Sequence, residues 1–100
     1  MPELKAPRGV DDLLPQDQPY WRWLKATATR VAESYGYGEI QTPVFEHADV
    51  WLRPGADGTD IVDKEMYRFE DRGGDDLVLR PEGTAGVVRA YLEVKRRQLL

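Results

Sequence analysis

The sequence predicts an α+β fold with a mainly antiparallel sheet flanked by helices, and three observations carry that expectation. Trp21, Leu24, Ala28, Val31, Ala32 and Tyr35 recur at three- and four-residue steps, the spacing of one helical stripe. Two strand-like stretches, residues 65–70 and 77–80, flank the turn Asp71-Arg72-Gly73-Gly74 and read as a hairpin. Helical spacing then resumes at about Thr84, with Val88, Tyr91 and Leu92 as its expected buried face.

Each element can be justified in order. Residues 1–15 contain three prolines and one glycine and read as an extended arm. Asp17 or Gln18 is placed to cap the first helix, Pro19 suits its first turn, and Gly36 supplies a left-handed stop. Residues 37–42 read as a strand ended by Pro43, which has no N–H for a ladder. Ala48, Trp51 and Leu52 suggest a short helix. Residues 53–64 begin with RPGADGTD, which collects glycine, proline and aspartate and reads as a loop. After the hairpin, the last helix is expected over residues 84–98. The sheet looks incomplete, so the chain reads as the front part of something larger.

Composition narrows the function classes. One hundred residues suffice for one small domain, which buries roughly 60–65% of its unfolded surface. Hydrophobic residues are 41% and charged residues 32%, as in ordinary globular proteins. No apolar run approaches the length of about 18 residues that a membrane span needs, and the start lacks the apolar core of a secretory signal. With no cysteine there is neither a disulfide framework nor a thiolate metal site. A cytoplasmic, membrane-free protein is the expectation. The net charge of −4 is opposite in sign to that of a free-standing nucleic-acid-binding module. The cluster Arg89, Lys95, Arg96 and Arg97 reads as a solvated helix face, so the chain is not expected to grip RNA alone.

The stretch LVLRPEGTAGVVRAYLE, residues 77–93, holds the candidate site. Arg80, Pro81, Glu82, Gly83 and Thr84 crowd one strand-to-helix corner. A purely structural account is available: Pro81 and Gly83 turn the chain, Thr84 caps the helix, and Glu82 favours the positive end of its dipole. A functional account uses the same groups. A carboxylate and a hydroxyl at this corner can accept hydrogen bonds from an ammonium group, each worth about 1.5–3 kcal/mol, and Gly83 lets a small ligand approach. Arg80 is free in this reading to pair with Glu82 or with an incoming anion. His47, the single histidine, reads as a surface or packing residue on the short helix. Asp57, Asp60 and Asp63 lack the spacing of a calcium loop, and no metal is expected. Trp21, Trp23 and Trp51 read as core or interface rather than base-stacking platforms, because basic residues do not interleave them.

Four stretches in order carry a family resemblance: PRGVDDLLP (7–15), ESYGYGEIQTPVFE (33–46), GTDIVDKEMYRFEDRGG (58–74) and LRPEGTAGVVRAYLE (79–93). The chain resembles the start of the catalytic domain of histidyl-tRNA synthetases, a class II aminoacyl-tRNA synthetase family. The likeness covers about residues 7–93. It implies that residues 16–46 form the motif 1 helix and strand of a homodimer interface that includes Pro43. It implies that residues 53–63 order when substrate binds. By the same resemblance Glu82, Gly83 and Thr84 line the amino-acid pocket, the acid and the threonine holding the α-amino group of L-histidine, with Arg80 as a possible supporting residue.

The family's reaction is ATP-dependent activation of histidine, with magnesium, followed by transfer to tRNA(His). The resemblance places the catalytic arginines and the tRNA-binding regions outside residues 1–100, so no catalytic residue is expected within the segment and the segment alone is expected to be inactive. Gln41 and Val94 depart from the family's usual arginine and histidine, and neither touches the pocket. Two rival readings follow. One is the synthetase-like regulatory subunit of ATP phosphoribosyltransferase, which typically varies at the corner with Asp-Met-Thr-like residues. The other is a non-catalytic dimerisation module.

Overall fold

The computed structural model describes residues 3–52 and 65–99. The chain forms two compact units, Met1–Glu39 and Ile40–Leu100. In the first unit an irregular arm leads into helix α1, Gln18–Ser34. The second unit contains strands β1 (Phe45–His47), β2 (Arg68–Glu70) and β3 (Asp76–Leu79), a 3₁₀ turn at Ala48–Val50 directly after β1, and helix α2 (Thr84–Leu99). The α+β expectation holds. The expected loop at residues 53–64 lies outside the described residues.

In the first unit the ends of α1 follow local chemistry. Asp17 occupies the N-cap position but makes no side-chain cap; its carboxylate accepts the Leu14 N–H at 3.0 Å instead. Pro19 sits in the first turn, where its missing N–H costs nothing. At the other end Gly36 has φ +85°, and Gly36 N–H and Tyr37 N–H donate to Glu33 O and Ala32 O. This Schellman pattern satisfies carbonyls the helix leaves over. The expected buried stripe is absent: no α1 residue is buried, and Tyr35 is 78% exposed. A stripe is buried only when a second layer covers it, and α1 is the one regular element of this unit among the described residues.

The second unit is built around β3. The sheet order is β1-β3-β2, and both pairings are antiparallel. Val78 faces Glu46 on one side and Arg68 on the other and is fully buried. Ala48 packs with it, and Trp51, Leu52 and Met66 lean on that pair. The β2–β3 turn runs through Asp71, whose carboxylate accepts the Asp75 N–H, and Gly74 at φ +87°. On the same hairpin Arg68 pairs with Asp76, and this guanidinium holds the Asp76 carboxyl below its usual range. Phe45 and Phe69 meet edge to face at 6.3 Å.

Two expectations about strands need correction. Residues 37–42 contain no strand; the strand comes after Pro43, at Phe45–His47. A proline cannot donate to a ladder, so pairing with β3 begins only beyond it. His47 consequently lies in β1 rather than on a helix.

The face of α2 is also reversed from expectation. Val88, Tyr91 and Leu92 are about half exposed, at 51%, 59% and 53%. The inward residues are Gly86, which is buried, with Arg89, Ala90 and Glu93 half-buried, an i, i+3, i+4, i+7 set of small and charged residues. Arg89 reaches Glu46 with two bonds, Nε–Oε2 at 3.0 Å and Nη2–Oε1 at 2.7 Å, and donates to Glu93 Oε2 at 2.8 Å. Glu46 is only 7% exposed. Its charge is tolerated because the fork of Arg89 matches both oxygens. The pair in turn raises the Arg89 pKa. Arg89 is therefore no part of a solvated basic face. Gly86 is small for a reason: a Cβ there would stand 3.4 Å from Thr42 Oγ1 and 3.5 Å from Glu46 Oε1.

Removing Arg89 leaves the buried Glu46 with no counterpart, and removing Glu46 leaves Arg89 only its bond to Glu93. Glu46→Leu or Arg89→Met is expected to cost about 2–4 kcal/mol in urea unfolding. The double variant Glu46→Leu/Arg89→Met is expected to recover most of that loss, because an apolar pair leaves nothing unpaired. A double variant no better than the worse single one would contradict this account.

Candidate functional site

The corner begins where β3 ends. Arg80 N–H donates to Val44 O at 2.9 Å, extending the β1–β3 ladder by one step. The Arg80 side chain turns back along the same segment. Its Nη1 donates to Thr42 O at 2.9 Å, Thr42 Oγ1 at 3.1 Å and Pro43 O at 3.3 Å. It does not pair with Glu82, one of the two options open in the sequence. Three neutral oxygens just ahead of β1 take up this end of the guanidinium, and Pro43 takes part through its carbonyl.

Glu82 follows two residues later and faces the start of α2. Its Oε2 accepts the Thr84 N–H, and its Oε1 accepts the Ala85 N–H at 3.2 Å and the Trp51 Nε1–H at 3.3 Å. Gly83 O accepts the Val87 N–H at 3.3 Å, opening the helical ladder. The cap is thus the Glu82 carboxylate rather than the Thr84 side chain, which corrects the sequence expectation. The first N–H groups of a helix lack intrahelical partners and carry its positive dipole end. A carboxylate one residue before the cap position answers both needs. Those donors hold the Glu82 pKa below its ordinary value, Thr84 N–H first, then Ala85 N–H, with Trp51 and the Thr84 hydroxyl adding to them.

Glu82 and Thr84 share the rim of an open cleft of about 730 Å³, whose other walls include Ile40, Gln41, Thr42, Arg80 and Val88; Gln41 thus lines the cleft, contrary to the sequence expectation. Gly83 also lines it, and a Cβ at Gly83 would meet nothing within 4 Å. The space in front of the corner is open to a small ligand. A carboxylate has about four acceptor positions; the three N–H donors leave one on Oε2, which the rotatable Thr84 hydroxyl can occupy or vacate. The arrangement can therefore take one more donor at an anion whose charge is fixed.

Sequence reading missed Trp51 as a partner of Glu82, and missed Glu46 with Arg89. Both contacts link residues far apart in the chain, 31 and 43 positions respectively. The one local signal was the four-residue step from Arg89 to Glu93, a helical ion-pair spacing. Among the described residues no group of three or more His, Cys, Asp or Glu side chains gathers to hold a metal ion. Asp57, Asp60 and Asp63 lie outside the described residues.

The lowered Glu82 pKa has a consequence for stability. A group with a depressed folded-state pKa stabilises fully above its unfolded value, here 4.5, and loses that contribution as pH falls through the folded value. The stability difference between the native chain and Glu82→Gln is expected to be constant at neutral pH and to shrink below pH 4.5. Paired urea titrations from pH 7 to pH 3 measure it. A difference that grows on acidification would reverse the assigned sign.

Comparison with known proteins points in one direction. The histidyl-tRNA synthetase family pattern matches residues 9–99. The chain is 61% identical over 89 residues to a histidine–tRNA ligase of Dehalococcoides mccartyi, covering 89% of this chain and 21% of that protein. It is 52% identical over 93 residues to the ligase of Halothermothrix orenii, covering 93% of this chain and 22% of that one. The crystal structure of apo S. aureus histidyl-tRNA synthetase superposes with a TM-score of 0.76 at 40% identity, over 95% of this chain and 22% of that chain. A Bacillus halodurans protein described as an ATP phosphoribosyltransferase regulatory subunit/histidyl-tRNA synthetase gives 0.69 at 28% identity, over 90% and 23%. The chain thus spans about a fifth of the length of these relatives. On this evidence it belongs to the histidyl-tRNA synthetase family, a class II aminoacyl-tRNA synthetase family.

Proposed function

We propose that the chain is the N-terminal portion of the catalytic domain of a histidine–tRNA ligase, and that its corner orients the amino-acid substrate. The observation that carries this reading is the Glu82 carboxylate, held ionised by three N–H donors beside Thr84 at the mouth of an open cleft. Glu82 and the Thr84 hydroxyl accept hydrogen bonds from the α-ammonium of L-histidine, and Gly83 leaves room for Cα. Arg80 supports the corner by bracing residues 42–43 rather than by touching substrate.

Activation joins the histidine carboxylate to the α-phosphorus of ATP and expels pyrophosphate. Fixing the ammonium fixes the direction of the carboxylate, so this chain's part is to bind and orient. Transfer to tRNA(His) follows in the same enzyme. Magnesium neutralises phosphate charge in such chemistry; the described residues offer it no ligand cluster, and no step here depends on one. Stabilising a pentavalent phosphorus needs cationic groups aimed at it. Among the described residues the cleft's one cationic side chain is Arg80, whose Nη1 is engaged with Thr42 and Pro43.

Homodimerisation belongs to the same reading. The exposed apolar residues of α1, such as Trp21, Leu24 and Val31, and the segment around Pro43 would meet a second subunit. The cytoplasm is its expected location; no described helix is long and apolar enough to cross a membrane. The regulatory-subunit reading has the weaker support, because its named relative shares 28% identity against 61% for a named ligase.

In the full-length ligase, Glu82→Gln is expected to raise the KM for histidine about 10- to 100-fold, the size of one charge-assisted bond, with the KM for ATP little changed. Pyrophosphate exchange at varied histidine and ATP measures both. An unchanged histidine KM would remove Glu82 from the site. Residues 1–100 alone are expected to give no pyrophosphate release dependent on both histidine and ATP. Steady release by the pure chain would refute that.

A further inference from the structure

Trp51 has so far served only as a partner of Glu82. Its ring leans on the buried pair Ala48 and Val78, and its backbone N–H donates to Ala48 O at 3.1 Å. Body and main chain are thus anchored in the small core of the second unit. The indole Nε1–H reaches out and donates to Glu82 Oε1. Glu82 and Thr84 also line a second cleft of about 300 Å³, shared with Val50, Trp51 and Val88.

The donors on Glu82 differ in what they fix. Thr84 N–H and Ala85 N–H belong to α2 and move with it. Trp51 Nε1–H belongs to the core beside β3. A glutamate side chain has three rotatable torsions and is costly to hold in one geometry. Held from the helix alone, the carboxylate can pivot about its two backbone donors. The third bond, from a different element, removes that pivot.

We propose that Trp51 is a positioning residue for the amino-acid site: its indole N–H ties Glu82 Oε1 to the core, so that Oε2 keeps its open acceptor position turned to the substrate ammonium. The inference rests on the reading of Glu82 as the ammonium acceptor. Trp51 itself touches no substrate. Its effect is confined to ligands that carry an amine.

The test uses Trp51→Phe in the full-length ligase, which keeps an aromatic ring and deletes the donor. Losing one hydrogen bond to a charged group is expected to raise the histidine KM about fivefold, while the KM for ATP stays within about twofold, because the bond acts only on the acceptor of the amine. The acidic limb of the pH profile for histidine should move to higher pH, because the Trp51 bond helps hold the Glu82 pKa down. A merely structural tryptophan would move both KM values together and leave that limb in place, which would overturn the proposal.

Glu82→Gln serves as the control. If it leaves the histidine KM unchanged, the underlying reading of Glu82 fails. If it raises that KM while Trp51→Phe does not, only the role of Trp51 fails. Should Trp51→Phe not fold, the native enzyme decides by nitrogen-15 NMR of its indole groups. The Trp51 Nε1–H resonance is expected to shift on titration with histidine methyl ester, which carries the amine, and to stay still with 3-(imidazolyl)propionate, which lacks it. A resonance that ignores the ester, or answers both equally, would sink the idea.

Discussion

The second unit depends on one buried ion pair. Glu46, on β1, lies under α2 with 7% of its surface exposed, and Arg89 meets it with a two-pronged contact. Few apolar side chains are buried, with Val78 and Ala48 at the centre. An apolar seam is therefore not what seats the helix. The inward residues of α2 are Gly86, Arg89, Ala90 and Glu93, so charge geometry and a missing Cβ decide its placement. Such a contact is less forgiving than an oily one: it is strong only when both oxygens are met. That fixes the register of α2 against β1, and with it the position of the corner at its N-terminus.

Two arginines flank that corner and both point back to the same stretch of chain. Arg80 braces Thr42 and Pro43, while Arg89 grips Glu46. The corner is thus held from before and after by residues 42–46, leaving Glu82 and Thr84 between the two anchors with open space in front. The carboxylate meets two demands there. The helix end needs an anion, and the ammonium proposed above would use the same one. These demands are compatible because the helix uses in-line N–H donors and leaves an acceptor position over. Capping also lowers the acid's pKa from its ordinary value.

Much of this was legible in the sequence, and the failures have physical causes. The ends of α1 were readable because Pro19 and Gly36 act locally, through a missing N–H and a positive φ. The hairpin turn was readable for the same reason. Glu82, Gly83 and Thr84 stood out as a cluster that a turn alone does not require. Burial was misread on both helices, because periodicity marks a face without saying what covers it. On α2 the marked face, Val88, Tyr91 and Leu92, is the more exposed one, and the covered face is charged. Pro43 suggests the end of a strand at 37–42, whereas the strand lies beyond it at Phe45–His47, because the missing N–H bars pairing only up to that residue. The Glu46–Arg89 and Trp51–Glu82 contacts join residues that only the folded chain brings together.

The corner's chemistry also limits what it can decide. An ammonium group is common to every amino acid, so an anion that grips it cannot tell histidine from its rivals. Discrimination requires a group that pairs with the imidazole and is left unpaired by other side chains. Beside the corner the described cleft wall offers Ile40, Gln41, Thr42, Val87 and Val88, of which Gln41 and Thr42 are polar and none is charged. Thr42 Oγ1 is already engaged by Arg80. On the reading proposed above, the corner would orient an amino acid without selecting it. Rigidity serves orientation: the more firmly Glu82 is held, the more of the ammonium's binding energy goes into aiming the carboxylate. A loosely held acid would bind the amine more weakly, because it must be ordered as it binds, and would point the reacting oxygen in several directions.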